Sequence, residues 1–449
     1  MKKVITYGTY DLLHQGHINL LRRAKELGDY LIVGVTADGF DQNRGKINIQ
    51  QSLVERIEAV KATGFADQII VEEYEGQKID DVRRYDVDIF TVGSDWIGKF
   101  DYLNELCEVV YLERTPGISS TELRTQERKL TMGIIGGTNF LEKFIRESRY
   151  VNGLEVTSFC SEDNGIVNMD NIIENKHIKV YENYDDMLEN VDSVYIISHP
   201  KLHYDRVKNA LLMKKHVLCE SPIVLESKQL IELNEFANEN DCIIMDAIRT
   251  AYSTAYNRLL VLAKSGIIGK IYSVDCSCTQ LRNNNANIKD LQNIWNSICT
   301  WGPNALLPVF QILGTDYMKK NITSHIIDDE SMYDVFTKIA FVYPEAVASI
   351  KVGKGVKTEG ELIISGTDGY IYVPAPWWKT DYFEVRREDS TQNKRYFYQL
   401  DGEGIRYELF SFLRTIQTGK QYGYIKYEES FAMVKIIEDF YNKVDYTNI

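Results

Sequence analysis

Short apolar runs alternate with amphipathic segments along about the first 125 residues. The runs KVITYG, YLIVGVT, QIIVEE, DIFTVG and CEVVYLE have the length and apolar content of buried strands. The segments GHINLLRRAKELG and SLVERIEAVKATG have the three- and four-residue apolar spacing of helices. This alternation predicts a parallel α/β sheet with helices on both faces. The charged segment TELRTQERK predicts a last helix, which places a domain boundary near residues 128–131.

The same kind of alternation starts again at residue 131. MGIIGGTNFLEKFIRES predicts a strand, a glycine-rich turn and a helix, and SVYIISH, YDRVKNALLMKK and HVLCE continue the pattern to about residue 250. Beyond it, KIYSVDCSCTQL, TKIAFVYP, AVASIKVG and GELIISGTDGYIYV are longer alternating runs, which predict a largely antiparallel sheet. A final helix, EESFAMVKIIEDFYNKV, could pack back on the second α/β unit. We therefore predict three domains, at residues 1–128, 131–250 and 251–449.

Composition and charge narrow the classes of function. A chain of 449 residues with 44% hydrophobic and 26% charged residues is ordinary for a multidomain globular protein, and no apolar stretch approaches the ~20 residues that cross a bilayer. The net charge of −14 opposes non-specific binding to nucleic acid, so an anion would need a local pocket. The seven cysteines are odd in number and lie mostly in apolar runs, which predicts reduced, buried thiols. We expect a cytoplasmic protein without membrane insertion.

The segment GTYDLLHQGH, at residues 8–17, connects the first strand to the first helix. Parallel sheets bind ligands at the carboxyl ends of their strands, so this turn is a candidate anion site. His14 and His17 lie three residues apart beside the free amides of the first helical turn, and Gly16 lets a phosphate approach the backbone. Two imidazoles on one phosphoryl group suit nucleotidyl transfer, which depends on positioning and charge stabilisation. The alternative is that both histidines only cap the helix.

A second candidate element is RTPGISST, at residues 114–121. Ser119 and Glu122 have the spacing of a capping box, so the segment could simply start a helix. The same geometry offers Arg114 and the hydroxyls of Ser119 and Thr121 to a triphosphate at a helix N-terminus.

Together the two segments resemble the glycerol-3-phosphate cytidylyltransferase family, a branch of the nucleotidyltransferases with an HxGH motif. The resemblance covers residues 1 to about 126, including GDYLIVGVTAD, VGSDWIGKFDYL and CEVVYLERTPGISST. It implies a Rossmann-like α/β fold and transfer of CMP from CTP to a polyol phosphate. No side-chain cluster predicts a metal site, so Mg²⁺ is expected to arrive on the CTP phosphates. The catalytic residues that the resemblance implies are His14, His17, Lys46 and Arg114. The CTP-binding residues that it implies are Gly8, Thr9, Tyr10, Asp11, Gly93, Asp95, Thr115, Ile118, Ser119 and Thr121.

The acceptor end of this site departs from the family. Arg56 matches an arginine that the family places near the acceptor phosphate, whereas Tyr74 stands where the family usually has a tryptophan. The alignment is ambiguous around residues 45–51, so Lys46 could be a solvated loop charge. The acceptor stays open among glycerol phosphate, a longer alditol phosphate and a sugar phosphate. The alternative donor is ATP. Asp95 and the RTPGISST segment favour CTP, because in the family that this chain resembles the aspartate binds the cytosine amino group.

The second α/β unit opens with GIIGGTNF, at residues 133–140, in the setting of a dinucleotide-binding turn. Gly136 supplies the first glycine of GxGxxG, whereas Thr138 and Leu141 occupy the other two positions. With DSVYIISHPKLHYDRVKNALLMKKHVLCESP, the unit resembles the Gfo/Idh/MocA oxidoreductase family from about residue 131 to 445. The resemblance implies a Rossmann domain followed by an α/β domain with an open, mostly antiparallel sheet, and it admits NAD(P) as a cofactor. The residues expected to bind it are Gly133, Gly136, Gly137, Thr138, Asn139, Ser161, His199, Pro200, His203, Glu220 and Ser221.

The groups that transfer hydride and proton in that family are not evident in this sequence. The lysine of its EKP motif is replaced by Ser221. Its aspartate corresponds to Thr300 or Trp301. Its histidine corresponds to Asn304 or Ala305 in WNSICTWGPNALLP. A dehydrogenase needs a group that exchanges the hydroxyl proton, and the remaining candidates are His199 and His203 in a turn after a strand, Lys215 and Tyr252.

Two hypotheses follow for residues 131–449. In the first, they reduce a keto or aldehyde phosphate with NAD(P)H and so supply the acceptor of the N-terminal transferase. In the second, which the missing proton-transfer groups favour, they form a binding, regulatory or oligomerisation module. In both, the partners are CTP, a small phosphorylated polyol or sugar, and further copies of the chain. The resemblance implies a homodimer or higher homo-oligomer that serves bacterial surface polysaccharides such as capsule or teichoic acid.

Overall fold

The computed structural model divides the chain into two compact units, Met1–Lys129 and Leu130–Ile449. It describes residues 1–37, 49, 51–74, 76–113, 129–137, 141–162, 178–281, 294–379, 381–398, 400–421 and 423–449. Among the helices in these ranges, none is both long and apolar enough to cross a bilayer. The seven cysteines are free thiols, six of them buried.

The first unit contains a five-stranded parallel sheet in the order β3-β2-β1-β4-β5. Both faces of β1 are buried: Val4 packs in a core with Leu21 and Val60, whereas Ile5 packs on the other face with Val82 and Phe90. The sheet is therefore covered on both sides, as the alternating pattern predicted. The elements are β1 (Lys3–Gly8), α1 (Gln15–Glu26), β2 (Tyr30–Thr36), α2 (Leu53–Ala62), β3 (Gln68–Glu72), α3 (Gln77–Tyr85), β4 (Ile89–Gly93) and β5 (Glu108–Leu112).

The sheet reverses its direction of growth between β1 and β4. The chain leaves β1 toward β2 on one side, and β4 pairs with β1 on the other, with Thr6 opposite Thr91. The carboxyl ends of these two strands therefore lie side by side. Such a reversal opens a crevice above the strand ends, which is where open α/β sheets bind ligands.

The second unit starts with a six-stranded parallel sheet in the order β11-β10-β9-β6-β7-β8. Here the reversal lies between β6 and β9. The core on one face contains Val194, Ile196, Val207 and Leu211. The elements are β6 (Leu130–Gly136), α4 (Leu141–Ser148), β7 (Leu154–Ser161), β8 (Lys179–Tyr181), α5 (Tyr184–Leu188), β9 (Ser193–Ile197), α6 (Pro200–Leu212), β10 (His216–Glu220), α7 (Ser227–Glu239) and β11 (Ile244–Ala247).

A nine-stranded sheet completes the second unit, in the order β19-β18-β17-β16-β12-β15-β14-β13-β20. Its pairs are antiparallel except β12 with β15 and β13 with β20. The elements are α8 (Thr254–Lys264), β12 (Ile271–Thr279), α9 (Ser297–Leu313), β13 (Lys319–Asp328), β14 (Tyr333–Val342), β15 (Val347–Gly353), β16 (Leu362–Gly366), β17 (Gly369–Val373), β18 (Tyr382–Arg386), β19 (Lys394–Phe397), α10 (Ile405–Thr418), α11 (Tyr427–Tyr441) and β20 (Tyr446–Asn448).

Two helices connect this sheet to the six-stranded one. Helix α9 packs on β12, β14 and β15, and α11 packs against both α9 and α7. The hydroxyl of Ser430, on α11, donates to the carboxylate of Asp246 at 2.7 Å. The last helix thus lies on the Rossmann-like part of its unit. The predicted fold class is confirmed: two parallel Rossmann-like sheets and a third, mostly antiparallel sheet.

Candidate active site and a second ligand cavity

The turn after β1 is shaped by a close contact between Gly8 and Tyr10. The buried Tyr10 ring folds back so far that a Cβ on Gly8 would lie 2.9 Å from it. Tyr10 and Leu12 have φ values of 55° and 47°, a left-handed backbone that non-glycine residues rarely adopt. The turn is therefore strained, and strain of this kind is typical of functional sites.

His14 and His17 come together at the start of α1. The Nδ1 atom of His14 caps the helix by accepting from the amide of Gly16 at 3.0 Å. A neutral ring in this geometry carries its proton on Nε2, which leaves an N–H donor on its other side. The ring of His17 stacks on that of His14 with centroids 4.0 Å apart, and its edge meets Tyr10 at 5.5 Å. The structure thus brings the two predicted catalytic histidines into one place.

Buried polar groups brace the strained turn from below. The backbone amide of Gln51 donates to the carboxylate of Asp11 at 2.9 Å. The side-chain oxygen of Gln51 accepts from the backbone amide of Leu12 at 2.8 Å. The buried Arg56 donates to the carbonyls of Thr9, Thr36 and Gln51 at 2.6, 2.9 and 3.2 Å. These contacts hold β1, β2 and the start of α2 together. Contact of Arg56 with an acceptor phosphate stays a prediction.

The predicted cytosine-binding segment lies at the end of the neighbouring strand. Gly93 ends β4 and packs near Leu20 of α1, with 3.8 Å between the Leu20 methyl and the position of a Cβ. Asp95 follows in a 3₁₀ turn, Ser94–Trp96, and is exposed. Because β1 and β4 are adjacent, Asp95 belongs to the same edge of the sheet as the histidines.

A buried charged network beneath this edge was not predicted from the sequence. Lys78 and Glu72 form an ion pair with side chains 9% and 2% exposed, and Thr36 donates to Glu72 at 3.0 Å. The ammonium of Lys78 also lies 4.7 Å from the centre of the Tyr7 ring. The Tyr7 hydroxyl donates to Asp81 at 2.8 Å, and burial together with Asp81 raises the pKa of Tyr7.

The acceptor-binding candidate Tyr74 lies beside this network on the surface. Its side chain is about half exposed, and its hydroxyl donates to Asp80 at 2.9 Å. Its role stays a prediction. The remaining predicted residues of the first unit lie outside the described part of the chain; these are Lys46, Arg114, Thr115, Ile118, Ser119 and Thr121.

The second unit places Gly136 at the carboxyl end of β6, next to the reversal point of its sheet. A Cβ on Gly136 would lie 2.9 Å from the carbonyl of Ile197, so the residue must be glycine for β9 to approach. A Cβ on Gly133 would lie 3.0 Å from the end of the Met187 side chain, a tight contact that this flexible side chain could relieve, and Gly137 follows the strand. Thr138 and Asn139 lie outside the described residues. The described glycines therefore fit the start of a dinucleotide-binding turn.

At the end of β7, where Ser161 is expected to contact the cofactor, the neighbouring acidic residue is already paired. Ser161 ends the strand, and the next residue, Glu162, forms an ion pair with Arg206 of α6. The amide of Glu162 donates to the carbonyl of Gly136 at 3.2 Å. The position fits the ribose end of a dinucleotide, but a ribose would have to share Glu162 with Arg206.

The structure corrects the placement of His203. It lies inside α6 rather than in a turn, and it is fully buried. Its ring nitrogens lie 2.8 and 2.7 Å from the carbonyl oxygens of Pro222 and Ser198. Burial lowers the pKa of His203 to about 4, although the two carbonyls favour a proton. His203 therefore bridges the turns after β9 and β10, and its ring is too deeply buried to contact a ligand.

His199 remains at the sheet edge as the N-cap of α6, directly before Pro200. Its Nδ1 accepts from the amide of Lys201 at 3.3 Å, and burial, followed by the charge of Lys201, lowers its pKa. Lys215 precedes β10 at the amino end of the sheet, so it lies at the wrong edge to exchange a proton with a ligand there. Tyr252 is buried under the carboxyl edge.

A cavity of about 260 Å³ lies beside the ends of β10 and β11. It brings together Ser221, which stands where the oxidoreductase family has lysine, with Thr300, Trp301 and Asn304, which are among the candidates for the positions of the family's aspartate and histidine. The indole rings of Trp295 and Trp301 form part of its wall. Of the described residues that line it, only Glu220 and Arg249 carry ionisable groups.

Two carboxyl groups lie at this cavity: Glu220 in its wall and the buried Glu408 close to Glu220. Glu220 accepts from the Tyr195 hydroxyl at 2.5 Å, and burial raises its pKa against the opposing charge of Arg249. Glu408, on α10, is fully buried, and within the described residues neither of its oxygens has a hydrogen-bond partner. Burial and the nearby Glu220 raise the pKa of Glu408 well above its ordinary value. Glu408 and Arg249 were not singled out from the sequence.

Comparison with known proteins decides the class of the first unit. Residues 5–126 match a family model described as cytidylyltransferase-like. The glycerol-3-phosphate cytidylyltransferase of Staphylococcus aureus (strain NCTC 8325 / PS 47) is 51% identical over 126 residues, which cover 28% of this chain and 95% of that protein. This chain belongs to the cytidylyltransferase-like family. The enzyme of Bacillus subtilis (strain 168) with the same name is 48% identical over 126 residues, or 28% of this chain and 97% of that protein. The predicted nucleotidyltransferase is thereby confirmed.

The second unit of this cytidylyltransferase-family chain matches a different group. Residues 130–247 match a family model described as an oxidoreductase family with an NAD-binding Rossmann fold, which confirms the resemblance. A 3-ketoreductase from Actinomadura kijaniata, solved in complex with NADP and TDP-benzene, has a TM-score of 0.63 at 16% identity, over 72% of this chain and 99% of that chain. A biliverdin reductase from Synechocystis sp. PCC 6803 has a TM-score of 0.58 at 15% identity, over 69% and 97%. These likenesses show the fold alone.

Proposed function

We propose that the first unit transfers CMP from CTP to a small polyol phosphate. In this reaction an oxygen of the acceptor phosphate bonds to the α-phosphorus of CTP, the bond to the β-phosphate oxygen breaks, and pyrophosphate leaves. The stacked imidazoles of His14 and His17 carry the proposal. They lie above the reversal point of the sheet, on a strained turn, in a chain that is 51% identical to a glycerol-3-phosphate cytidylyltransferase.

The roles of the individual residues follow from charge development in the transition state. Negative charge grows on oxygens around the transferring phosphorus, and N–H donors fixed in place stabilise it without reorganisation. We assign this role to His14 and His17, supported by positive charge from Lys46 and Arg114. We assign cytosine recognition to Asp95. The remaining proposed contacts to CTP are those of Gly8, Thr9, Tyr10, Asp11, Gly93, Thr115, Ile118, Ser119 and Thr121.

We propose that Mg²⁺ enters this site as a companion of the triphosphate. Within the described residues, no group of three or more His, Cys, Asp or Glu side chains could hold a metal ion. The triphosphate would therefore bring Mg²⁺, which neutralises phosphate charge when bound. Removal of Mg²⁺ with EDTA should abolish turnover, and addition of excess Mg²⁺ should restore it. Full activity in EDTA would contradict this assignment.

Pyrophosphate release from the full chain tests the proposal directly. CTP should be consumed with one or more members of a panel of glycerol 3-phosphate, longer alditol phosphates and sugar phosphates. The unphosphorylated polyols serve as controls, because they lack the attacking oxygen. Release with ATP but not with CTP would overturn the choice of donor. Release with no panel member would overturn the class of acceptor.

For the second unit, the side chains at the positions of the oxidoreductase family's proton-transfer residues favour binding over hydride transfer. Ser221, Thr300 and Asn304 have no group that exchanges a proton readily at neutral pH. We propose that this unit recognises a phosphorylated polyol or sugar related to the acceptor. Calorimetric titration with NADH and NADPH, followed by an assay with keto and aldehyde phosphates, tests the alternative. Turnover of the reduced cofactor with any of these compounds would establish a reductase instead.

The cellular role is a further proposal. The CDP-polyol product suits the assembly of bacterial surface polysaccharides, and a cytoplasmic location and a homo-oligomeric state complete this picture. Size-exclusion chromatography with light scattering tests the oligomeric state, for which a mass of 51.8 kDa would indicate a monomer.

A further inference from the structure

Glu403 is held in a backbone conformation that its side chain does not favour. Gly402, Glu403 and Gly404 have φ values of 57°, 52° and 86°, so three consecutive residues are left-handed. A Cβ on Gly402 would lie 1.8 Å from the Glu147 carboxylate, and one on Gly404 would lie 2.9 Å from the carbonyl of Arg249. The two glycines therefore let this turn press closely against its neighbours, with Glu403 between them.

The Glu403 carboxylate lies among three cations from separate elements. Its oxygens are 2.5 Å from Lys143 Nζ, 2.9 Å from Lys379 Nζ and 3.8 Å from a guanidinium nitrogen of Arg249. Partial burial opposes ionisation, but hydrogen bonds from Lys143 and Lys379 outweigh it and lower the pKa of Glu403 to about 2. Three positive charges therefore converge on the Glu403 carboxylate, and Arg249 also interacts with the nearby carboxyl groups of Glu220 and Glu408.

This position is partly open to solvent, and it shares Arg249 with the cavity. The side chains of Lys143, Arg249, Glu403 and Lys379 are 30%, 32%, 33% and 45% exposed. Arg249 also lines the cavity that contains Trp295 and Asn304. A ligand in the cavity could therefore contact Arg249 directly and would have to extend an anionic group past it toward Lys143 and Lys379.

The charge and geometry of the three cations match a phosphate monoester. A phosphate monoester carries a charge of about −1.5 to −2 at neutral pH and three acceptor oxygens, whereas the Glu403 carboxylate offers one charge and two oxygens. A guanidinium and two ammonium groups supply enough donors for all three phosphate oxygens. Indole rings and an amide beside the charge suit the carbon and hydroxyl surface of a small polyol or sugar.

We propose that Lys143, Arg249 and Lys379 form a phosphate subsite of this cavity and that Glu403 occupies the subsite when no ligand is bound. The ligand is a phosphate monoester of a small polyol or sugar. Binding exchanges the Glu403 carboxylate for the phosphate, and Glu403 turns into solvent. The subsite rests on the proposed binding role of the second unit.

Intrinsic fluorescence of the full chain can report this exchange. The chain has five tryptophans, of which Trp96 alone lies in the first unit, so a Trp96→Phe background confines emission to the second. Glycerol 3-phosphate and inorganic phosphate are the probes, and glycerol is the uncharged control. Glu403→Gln should tighten binding of both phosphates about 5- to 20-fold, because it removes the competing carboxylate. Lys379→Met should weaken binding at least 10-fold. Glu428→Gln is the control. Among the described residues, Glu428 pairs only with Lys426, at 3.7 Å, so this variant should bind both phosphates with unchanged affinity.

Several outcomes would overturn the subsite. Unchanged or weaker phosphate binding in Glu403→Gln would show that the carboxylate does not compete. If Glu403→Gln is unfolded, unchanged phosphate binding by Lys379→Met is enough to overturn the subsite. Calorimetric binding of NADH that depends on Lys379, without binding of the phosphate esters, would assign the cations to a dinucleotide. Pyrophosphate release by the same chains separates the two proposals: intact release without phosphate-dependent fluorescence removes the subsite and leaves the transferase standing.

Discussion

Each unit places a pair of histidines at the carboxyl edge of its parallel sheet, and the two pairs have opposite fates. His14 and His199 both cap a helix by accepting an amide hydrogen on Nδ1, at 3.0 and 3.3 Å. In the first unit the second histidine, His17, stacks on the capping ring at 4.0 Å. In the second unit, His203 is fully buried between two backbone carbonyls.

The difference shows that packing, rather than residue type, decides whether such a pair forms a site. A spacing of three residues keeps His17 beside the capping ring at the helix entry. A spacing of four directs His203 under the edge, where the turns after β9 and β10 close over it. The buried charged groups of the two units also differ. In the first unit the buried Lys78 forms an ion pair with Glu72, whereas in the second the buried Glu408 has no hydrogen-bond partner among the described residues.

The largest effect is expected from breaking the buried ion pair of the first unit. Lys78→Met leaves the Glu72 carboxylate buried without its cation, which costs about 3 to 5 kcal/mol of unfolding free energy. Urea unfolding followed by far-UV circular dichroism measures the change. The double variant Glu72→Gln/Lys78→Met should recover most of the loss, because it removes both charges. A loss below about 1 kcal/mol in the single variant would show that water reaches this pair.

The next largest effect is expected on turnover, from breaking the stacked pair of His14 and His17. His17→Ala should lower turnover with CTP by 10²- to 10³-fold, equivalent to about 3 to 4 kcal/mol of transition-state stabilisation, because it removes one fixed donor from the transferring phosphate. Gln15→Ala, at an exposed neighbour on the same helix whose side-chain amide donates to Asn19 at 3.0 Å, is the matched control. Near-normal pyrophosphate release by His17→Ala would show that His17 has no catalytic role and that the histidine pair serves only to cap the helix.

The buried histidine of the second unit should act on stability instead. Its pKa is about 4 in the folded chain and about 6.5 when unfolded, so the unfolded state binds the proton more tightly between these values. Stability contributed by the neutral ring is present above pH 6.5 and is lost as the pH falls toward 4. The expected loss is about 2 kcal/mol between pH 8 and pH 5.

His203→Gln should flatten this pH dependence, whereas His325→Gln, at an exposed histidine of the same unit, should not. Urea unfolding of the second unit at a series of pH values provides the measurement. Stability that rises on acidification would mean that the two carbonyl contacts hold a charged imidazolium and outweigh burial.

The contrast also explains which parts of the molecule were predictable from the sequence. The turn from Gly8 to His17 was predictable because its signals are local: a strand, a glycine that the Tyr10 ring covers, and a helix cap lie within ten residues. The alternation of strands and helices fixed both parallel sheets for the same reason. The fold class needed no contact between distant segments.

Features that depend on distant segments were missed. Tyr7, Glu72 and Lys78 meet only because β1, β2 and β3 pair in one register and α3 packs across them. Arg249 and Glu403 lie far apart in the sequence, and a left-handed turn brings them together. His203 was misplaced because the pattern YDRVKNALLMKK suggested a later helix start than Pro200. The first two errors came from tertiary packing that no short pattern encodes, whereas the helix start at Pro200 had a local signal, a proline at the first helical position.

The smallest effect, and the closest comparison, comes from replacing the two capping histidines by the same residue. Asparagine is a favoured N-cap, so His14→Asn and His199→Asn should each change the free energy of unfolding by less than about 1 kcal/mol. Their effects on pyrophosphate release should differ, because only His14 is stacked on a second histidine at the proposed phosphate site. His14→Asn should lower turnover at least 10-fold, and His199→Asn should leave it unchanged. Equal pyrophosphate release by both variants would mean that His14, like His199, only caps its helix. Catalysis would then depend on other residues of the first unit.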